Sequence, residues 1–545
     1  MNRADLAAAA LVAALALAWG APTLRAGFEG PYDEGNILCA AVRVADGQVP
    51  YRDFWYLHGP GTPYLLGGAF RLFGTTLATE RGVKLAVVVF SSVLLFTLAR
   101  GVAPRWLAAA AALLFVVSPA QTLSLRPRDL GVAGALATVM AALAAARSGP
   151  RRIAWGCGAL AGLTACFKQD AGVYAVIAAV SVLGATAWRE APAGRRVRAL
   201  SMGVLLPVGV PACAVFLIVL AGLASAGALP DFVAQAVVFP MTEFPRFRAL
   251  PLSLRLAKAG VAFAGGSSAR SLFDAFLPPS LFLGMAVTSL AAALRGGTRW
   301  VRGEANGGAR TGLLCGVAGL LFLNVARVRL DPEHLLPAVP FALVSALFLV
   351  SRREGGRSLT AHGWLGGACL AGMLVVSLPS ARERLRLFGG EAVAAPTSLA
   401  RAPEWRDLDP DLVRIARIVS ERTGHRERIF VGNTRHDALG YDAPLVYFLA
   451  DRMGATRYDN LHPGVVTTLA VQEEMVRDLE RRGTKLVVLW DGPPLREPNE
   501  SAISSGVFLL DRFLKGRFRE TARFGRYRVL EREPVSAAPV SSAER

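Results

Sequence analysis

The sequence predicts a polytopic α-helical membrane protein with about eleven transmembrane helices and a C-terminal extracytoplasmic α/β domain. Three observations predict it. The chain has 545 residues, 53% of them hydrophobic, and a mean hydropathy of +0.40, too apolar and too long for one soluble domain. Apolar runs near the length that spans a bilayer recur from residue 5 to residue 379. Beyond about residue 380 the pattern becomes that of an ordinary soluble protein.

The first apolar run, residues 5–24, follows Arg3 and reads as an uncleaved span; the alternative is a signal peptide ending near Thr23-Leu24-Arg25-Ala26. Residues 28–64 then form a charged, aromatic loop inside the first outer loop, 25–81, with the acid pair Asp33 and Glu34. Ile37, Leu38, Ala41, Val42 and Ala45 recur at helical spacing until Gly47, so a helix opens at Asp33 and lies in the interface, with Leu38 and Val42 toward lipid or protein. Asp33 has two readings. It is a good N-cap, and it is also a carboxylate held rigidly at the membrane surface, suited to act as a general base or to orient an acceptor. Further spans read as 82–99, 104–119, 130–146, 153–167, 171–188, 199–226, 275–294, 311–326, 335–350 and 361–379. Residues 381–409 read as a linker. In the domain at 410–530, helices are expected at 410–423, 445–452, 466–482 and 507–514, strands at 428–432 and 485–490, and a strand pair over 518–530. Residues 531–545, rich in Ala, Ser, Pro and Glu, read as a flexible tail.

The net charge of +19 does not point to nucleic acid, because the basic residues sit between apolar spans and form no single stripe. With the N-terminus in the cytoplasm, the inner loops hold Arg100 and Arg105, Arg147 to Arg152, Arg189 to Arg198, Arg295 to Arg310, and Arg352 to Arg357; each obeys the positive-inside rule. The outer loops hold different chemistry: Arg126, Arg128 and Asp129; Lys168 and Asp170; Glu243 to Arg248; and Arg327, Arg329, Asp331, Glu333 and His334. The C-terminal domain falls on the same outer side. An Ala-, Arg- and Gly-rich composition suggests a bacterium, which makes the membrane the inner one and the outer face periplasmic.

The outer charges have a local reading, with Arg128 paired to Asp129, Lys168 to Asp170 and Arg329 to Asp331, and His334 capping its helix. They also have a shared one: several cations on the same leaflet as a carboxylate pair suit one anionic ligand, most simply a lipid phosphate. The six cysteines show no metal spacing, and neither a phosphate-cradling glycine loop nor a local Ser/His/Asp pattern is present. No metal site and no cofactor are expected, with a divalent cation left open.

The Tyr32-Asp33-Glu34-Gly35 stretch, the interfacial helix after it and Pro50-Tyr51-Arg52-Asp53-Phe54 together resemble the GT-C superfamily of membrane glycosyltransferases. The similarity is greatest to bacterial relatives of the dolichyl-phosphate-mannose protein mannosyltransferases and to lipid A aminoarabinose transferases. It covers about residues 1–380; Phe430 to Asn433 and Tyr447 to Arg452 more faintly resemble the α/β domains appended to such enzymes, while the β-trefoil of the eukaryotic mannosyltransferases has no counterpart. The resemblance implies an inverting transfer, outside the cytoplasm, from a polyprenyl-phosphate-linked sugar to a lipid, glycan or protein acceptor. It implies Asp33 as base with Glu34 beside it, Arg128, Lys168, Arg327, Arg329 and His334 on the donor phosphate, and Asp53, Tyr56 and His58 in a substrate loop. The runners-up are an oligosaccharide polymerase or ligase of another architecture and a lipid or polysaccharide transporter; against the transporter, the charges lie at one face and no internal repeat is evident.

Overall fold

The computed structural model describes residues 2–148, 151–303, 307–351, 361–388 and 397–534, the last range without 398, 404, 439, 463, 493–496 and 498. Among these residues, each of the eleven expected spans falls on an apolar helix. Eight such helices are long enough to cross a membrane, and three are shorter. The first eight helices of the chain are α1 (Arg3–Gly20), α2 (Asp33–Ala45), α3 (Gly61–Phe73), α4 (Leu77–Ala99), α5 (Arg105–Val116), α6 (Pro127–Ser148), α7 (Arg151–Phe167) and α8 (Gln169–Glu190). The later spanning helices include Leu206–Ser225, Ala269–Val301, Gly307–Leu323 and Ala361–Arg386, with the short Val339–Val350 buried among them. The chain is a multi-pass membrane protein.

Local chemistry sets the helix limits. Asn2 caps α1 by accepting from the Asp5 amide at 2.9 Å, and Thr76 caps α4 through the Thr79 amide at 3.1 Å. At 23 residues α4 is about 34 Å long, enough for the hydrocarbon core. By contrast α5 stops at Val116 because Pro119 disfavours a helical residue before it. At the end of the bundle away from the first loop, the Asp5 carboxylate holds Arg100 at 2.9 Å and Arg105 at 3.4 Å, tying α1 to the α4–α5 turn.

One stretch differs from the sequence reading. Residues 227–274, expected as a connector, carry helices Phe239–Arg248 and Leu252–Ala264, and Ala269–Val301 starts six residues before the expected span at 275. Arg255 and Lys258 break the apolar run of the second, and its 13 residues are too few to span, so its periodicity does not register as a membrane segment.

The soluble domain is a four-stranded sheet of β1 (Phe430–Asn433), β2 (Leu486–Trp490), β3 (Phe518–Phe524) and β4 (Tyr527–Arg532) in the order β1-β2-β4-β3. Strands β1 and β2 run parallel, with Val431 opposite Val488; β2 and β4 are antiparallel, with Val488 opposite Val529; β3 and β4 form the terminal hairpin. Helices Pro410–Arg422, Leu445–Leu449, Leu469–Arg481 and Leu509–Arg517 flank the sheet, so every expected element of this domain is found in kind and in place. The tail expected from residue 531 begins too early, because Glu531 and Arg532 pair in the sheet as the end of β4; residues 535–545 of it, and residues 389–396 of the expected linker, lie outside the described residues.

The domain sits directly on the first outer loop. Leu38, Ala41 and Val42 of α2 share one apolar core with Leu412, Ile415, Leu445 and Phe448, so the face of α2 left open between lipid and protein meets protein. Gly35 makes this approach possible: a Cβ there would lie 2.1 Å from the Leu445 amide nitrogen. Arg43 forms a buried ion pair with Asp459, and the Trp55 amide donates to the Arg457 carbonyl at 2.9 Å. Part of the expected linker is built into the same contact. Leu399, Ala402 and Trp405 are buried, and the Trp405 indole donates to the Gly27 carbonyl at 3.1 Å, because a large apolar ring beside the membrane domain gains more from burial than from solvent.

Candidate active site

Helix α2 starts at Asp33 itself. Tyr32 takes the N-cap place and no side chain caps the helix, so the capping reading of Asp33 is overturned; the carboxylate is left free of the helix it begins. Its side chain is 58% exposed, and its Oδ1 lies 3.6 Å from Nη1 of Arg126. Arg126 is itself buried, and also donates to Glu29 at 3.0 Å. Glu29 further accepts from the Leu123 amide and from the Ser124 hydroxyl at 2.5 Å. Against the upward push of burial, Arg126 and Arg81 hold the Glu29 carboxyl down to about 2.

Glu34 has the opposite surroundings. It is 2% exposed and pairs with the fully buried Arg81, which also pairs with Glu80; Glu80 in turn accepts from the Leu125 amide. Burial pushes the Glu34 carboxyl up, against the pull of Arg81. One turn on, Lys84 pairs with Asp129 at 2.8 Å. The ring of Trp405 covers Arg81, with the guanidinium carbon 5.7 Å from the ring centre. This network ties the first outer loop to the outer ends of α4 and α6. Glu34, expected beside the base, is therefore held buried in an ion pair that fastens the loop.

The five expected phosphate-binding residues divide. Arg128 pairs with Glu333, 205 residues away, where Asp129 was expected. Lys168 does pair with Asp170, at 2.8 Å. Two close packings bring these groups together: Gly131 of α6 faces the Lys168 stem, and Gly59 lies against the carbonyl of Cys166, where a Cβ would be 2.3 Å from the oxygen. His58 consequently sits beside Lys168. Burial first, then Lys168, Arg128 and a smaller contribution from His334, press the His58 pKa down to about 3 while Asp170 opposes them, so the ring is neutral at physiological pH. Arg327 is exposed, with no ion pair or side-chain hydrogen bond among the described residues.

Arg329 is taken up elsewhere. It binds Asp331 at 3.1 Å, Glu497 of the soluble domain at 2.7 Å and the Arg248 carbonyl at 3.2 Å. The local pairing with Asp331 is present, but the main partner is on the other domain. His334 does not cap its helix: Asp331 does, accepting from the His334 amide at 2.9 Å and meeting its Nδ1 at 2.6 Å. In the substrate loop, Asp53 accepts from the Val49 amide at 2.7 Å and pairs with Arg52 at 2.8 Å, which shapes the loop. Tyr56 is buried with a hydroxyl that has no hydrogen-bond partner among the described residues, and the Tyr51 hydroxyl donates to the His58 carbonyl at 2.6 Å. Among the described residues, no three His, Cys, Asp or Glu side chains gather as a metal ligand set.

Sequence reasoning passed over Glu29, Glu80, Arg81 and Lys84. A signal was present, because three charges in the first turns of an apolar helix at the outer boundary require partners.

Comparison with known proteins falls on this same part of the chain. Residues 57–217 match the family model described as dolichyl-phosphate-mannose-protein mannosyltransferase. The match bears out the kinship read from the first outer loop, and it includes His58, Arg128 and Lys168 while starting after Asp33. No curated protein sequence matches. Among solved structures, the oligosaccharyltransferase of Archaeoglobus fulgidus in its apo form is similar at 13% identity and a TM-score of 0.48, covering 89% of this chain and 69% of its own. ArnT from Cupriavidus metallidurans bound to undecaprenyl phosphate is similar at 16% identity and a TM-score of 0.48, covering 98% of each chain. Likenesses at this level speak to neither substrate nor activity.

Proposed function

We propose that this chain is an integral-membrane inverting glycosyltransferase, which moves a sugar from a polyprenyl-phosphate donor to a lipid, glycan or protein acceptor on the outer face of a bacterial inner membrane. Residues 1–380 form the transferase domain and residues 410–530 a periplasmic domain resting on its first loop. The observation that carries this reading is the contrast at the acid pair: Asp33 stands exposed at the start of a rigid, buried helix, facing Arg126, within a region of outer-face cations that the family match partly covers.

In such a transfer the acceptor hydroxyl attacks the anomeric carbon and gives its proton to Asp33. The bond from that carbon to the phosphate oxygen breaks, and the electron pair leaves with the polyprenyl phosphate, which needs no general acid. The growing charge is met by cations that can release their present partners. Arg327 has none to release, and Lys168 and Arg128 hold carboxylates that are 34% and 44% exposed, so those pairs are weak enough to exchange for a phosphate. Arg329 and Glu497, at 13% and 15%, are held more tightly and serve the contact between domains. Neutral His58 offers one hydrogen bond without adding charge.

The test is release of undecaprenyl phosphate from a panel of undecaprenyl-phosphate sugars, using purified protein in proteoliposomes with candidate acceptors. Acceptor-dependent release that is lost in Asp33→Asn supports the reading. Release that persists in Asp33→Asn removes the base, and transport of the intact donor without release favours the transporter.

A further inference from the structure

We propose that the soluble domain holds a second anion site, separate from the candidate active site, in which Arg426, Arg428 and Arg482 bind a phosphate group. These residues, with Lys485, line a cavity of about 340 Å³ where the chain enters the two parallel strands: residues 423–428 lead into β1 and residues 482–486 into β2. The opposite ends of the same strands face Asp33. There Asn433 donates to the Gly440 carbonyl at 3.2 Å, and the next residue, Tyr441, packs its ring 4.8 Å from that of Tyr32.

The charge balance of the cavity is one-sided. Among the described lining residues the one acid is Glu427, and both oxygens of that side chain are engaged, one by Lys485 and the other by the Gly424 amide at 2.9 Å. Arg428 is half-buried and donates to the Gly454 carbonyl at 3.0 Å. Arg426 and Arg482 are exposed, with no ion pair and no side-chain hydrogen bond among the described residues. Burial pulls the Arg428 pKa down, with Arg482 and Arg43 adding to it and Asp459 and Asp46 opposing it. Gly483, at φ +58°, makes the tight turn beside Arg482 and leaves the mouth clear of a side chain. Scattered surface arginines would be solvated individually. Three converging on one concavity match the fork geometry that binds phosphate oxygens in pairs.

The surface beside the cavity, around Asp46, carries groups suited to a membrane. Arg428 is within electrostatic reach of Asp46, which follows the last turn of α2, and Arg71 of α3 donates to the Ala45 carbonyl there at 2.7 Å. The next two residues of α3, Leu72 and Phe73, are 77% and 76% exposed, an apolar pair suited to lipid. The phosphate can therefore come from an anionic lipid headgroup or from solution.

The experiment uses the full chain in neutral detergent. Binding of phosphatidylglycerol, of phosphatidylcholine and of inorganic phosphate is measured by native mass spectrometry and thermal shift, in the wild type, in Arg426→Ala/Arg482→Ala and in Arg426→Lys/Arg482→Lys. Both arginines are exposed, so the variants should fold. We expect phosphatidylglycerol to bind the wild type at least tenfold more tightly than the alanine pair, with the lysine pair between them and phosphatidylcholine indifferent. The same ranking for inorganic phosphate alone would support the site with a soluble ligand. Equal binding of both anions to wild type and alanine pair would overturn the proposal. Sugar transfer should be unchanged in these variants, so failure here is distinguishable from failure of the transferase reading.

Discussion

Two arcs of charge run along the outer rim, and they differ in how completely they are paired. One passes from Asp33 and Arg126 through Arg128 to His58, Lys168 and Arg327. The other passes from Arg248 through Arg329 to Asp331 and Glu497. In the first, Asp33 is 58% exposed, the partners of Arg128 and Lys168 are partly exposed, and Arg327 is open. In the second, Arg329 spends its guanidinium on two carboxylates and a carbonyl, and joins the soluble domain to the membrane domain. The same residue types thus do two jobs. The first arc leaves Asp33, the carboxylate partners of Arg128 and Lys168, and Arg327 accessible, as the proposed anion-binding role requires, whereas Arg329 of the second is committed to the contact between domains.

The sharpest break in the comparison is Asp33→Asn. A missing base typically costs about a hundredfold to ten-thousandfold in rate. Because Asp33 caps nothing, the variant should keep the melting temperature of the wild type, and steady-state release of polyprenyl phosphate beside a thermal melt reads both. Next in size is Arg81→Met, on the buried network behind the first arc. Removing one partner from a buried pair costs about 3–5 kcal/mol, here with Glu34 and Glu80 both left uncompensated. A large fall in melting temperature or loss of the folded protein on size exclusion is expected; an unchanged melt would mean that water reaches this network.

A smaller effect separates the arcs directly. A hydrogen bond to a charged group is worth about 1.5–3 kcal/mol, so Arg327→Ala should slow transfer by roughly tenfold to a hundredfold if it meets the leaving phosphate. Arg329→Ala should stay within a few-fold in rate while increasing protease cleavage around residues 497–505, where its partner Glu497 lies. Rates that fall more in Arg329→Ala than in Arg327→Ala would reverse the assignment of the two arcs.

The sequence reveals the periodic features of this molecule and hides the long-range ones. Spans and strands could be located because burial writes itself into a period of 3.6 or 2, as in Leu486–Trp490 or Leu77–Ala99. The pairing of Lys168 with Asp170 was legible because they lie two positions apart; that of Arg128 with Glu333 was not, since they lie 205 positions apart and Asp129 offers an adjacent decoy. Asp33 and Glu34 look equivalent as letters. What distinguishes them is the helix rotation of about 100° per residue, which turns one toward solvent and the other toward Arg81. The burial of Trp405 within the expected linker, 381–409, was hidden for a related reason: it follows no period in its own segment, and its partners Gly27 and Arg81 lie far away in the chain.

A pH-dependent effect is expected where the two arcs meet. Asp442 is fully buried beside Tyr441, with one carboxylate oxygen accepting from the Leu461 amide at 3.0 Å and the other without a partner. Burial, with Asp459 and Asp33 adding repulsion against the backbone hydrogen bonds, raises its pKa from 3.8 to about 8. The folded state therefore holds a proton that the unfolded state gives up near pH 4. Stability from this group is complete below pH 4, declines as pH rises from about 4 to about 8, and is fully lost above that. Asp442→Asn carries no such proton. The wild type should lose melting temperature relative to the variant steadily from pH 5 to pH 8 and run parallel to it beyond pH 9. A difference that stays constant from pH 5 to pH 9 would mean that Asp442 is ionised in the folded protein, and that the junction between the arcs carries a charge which neither arc compensates.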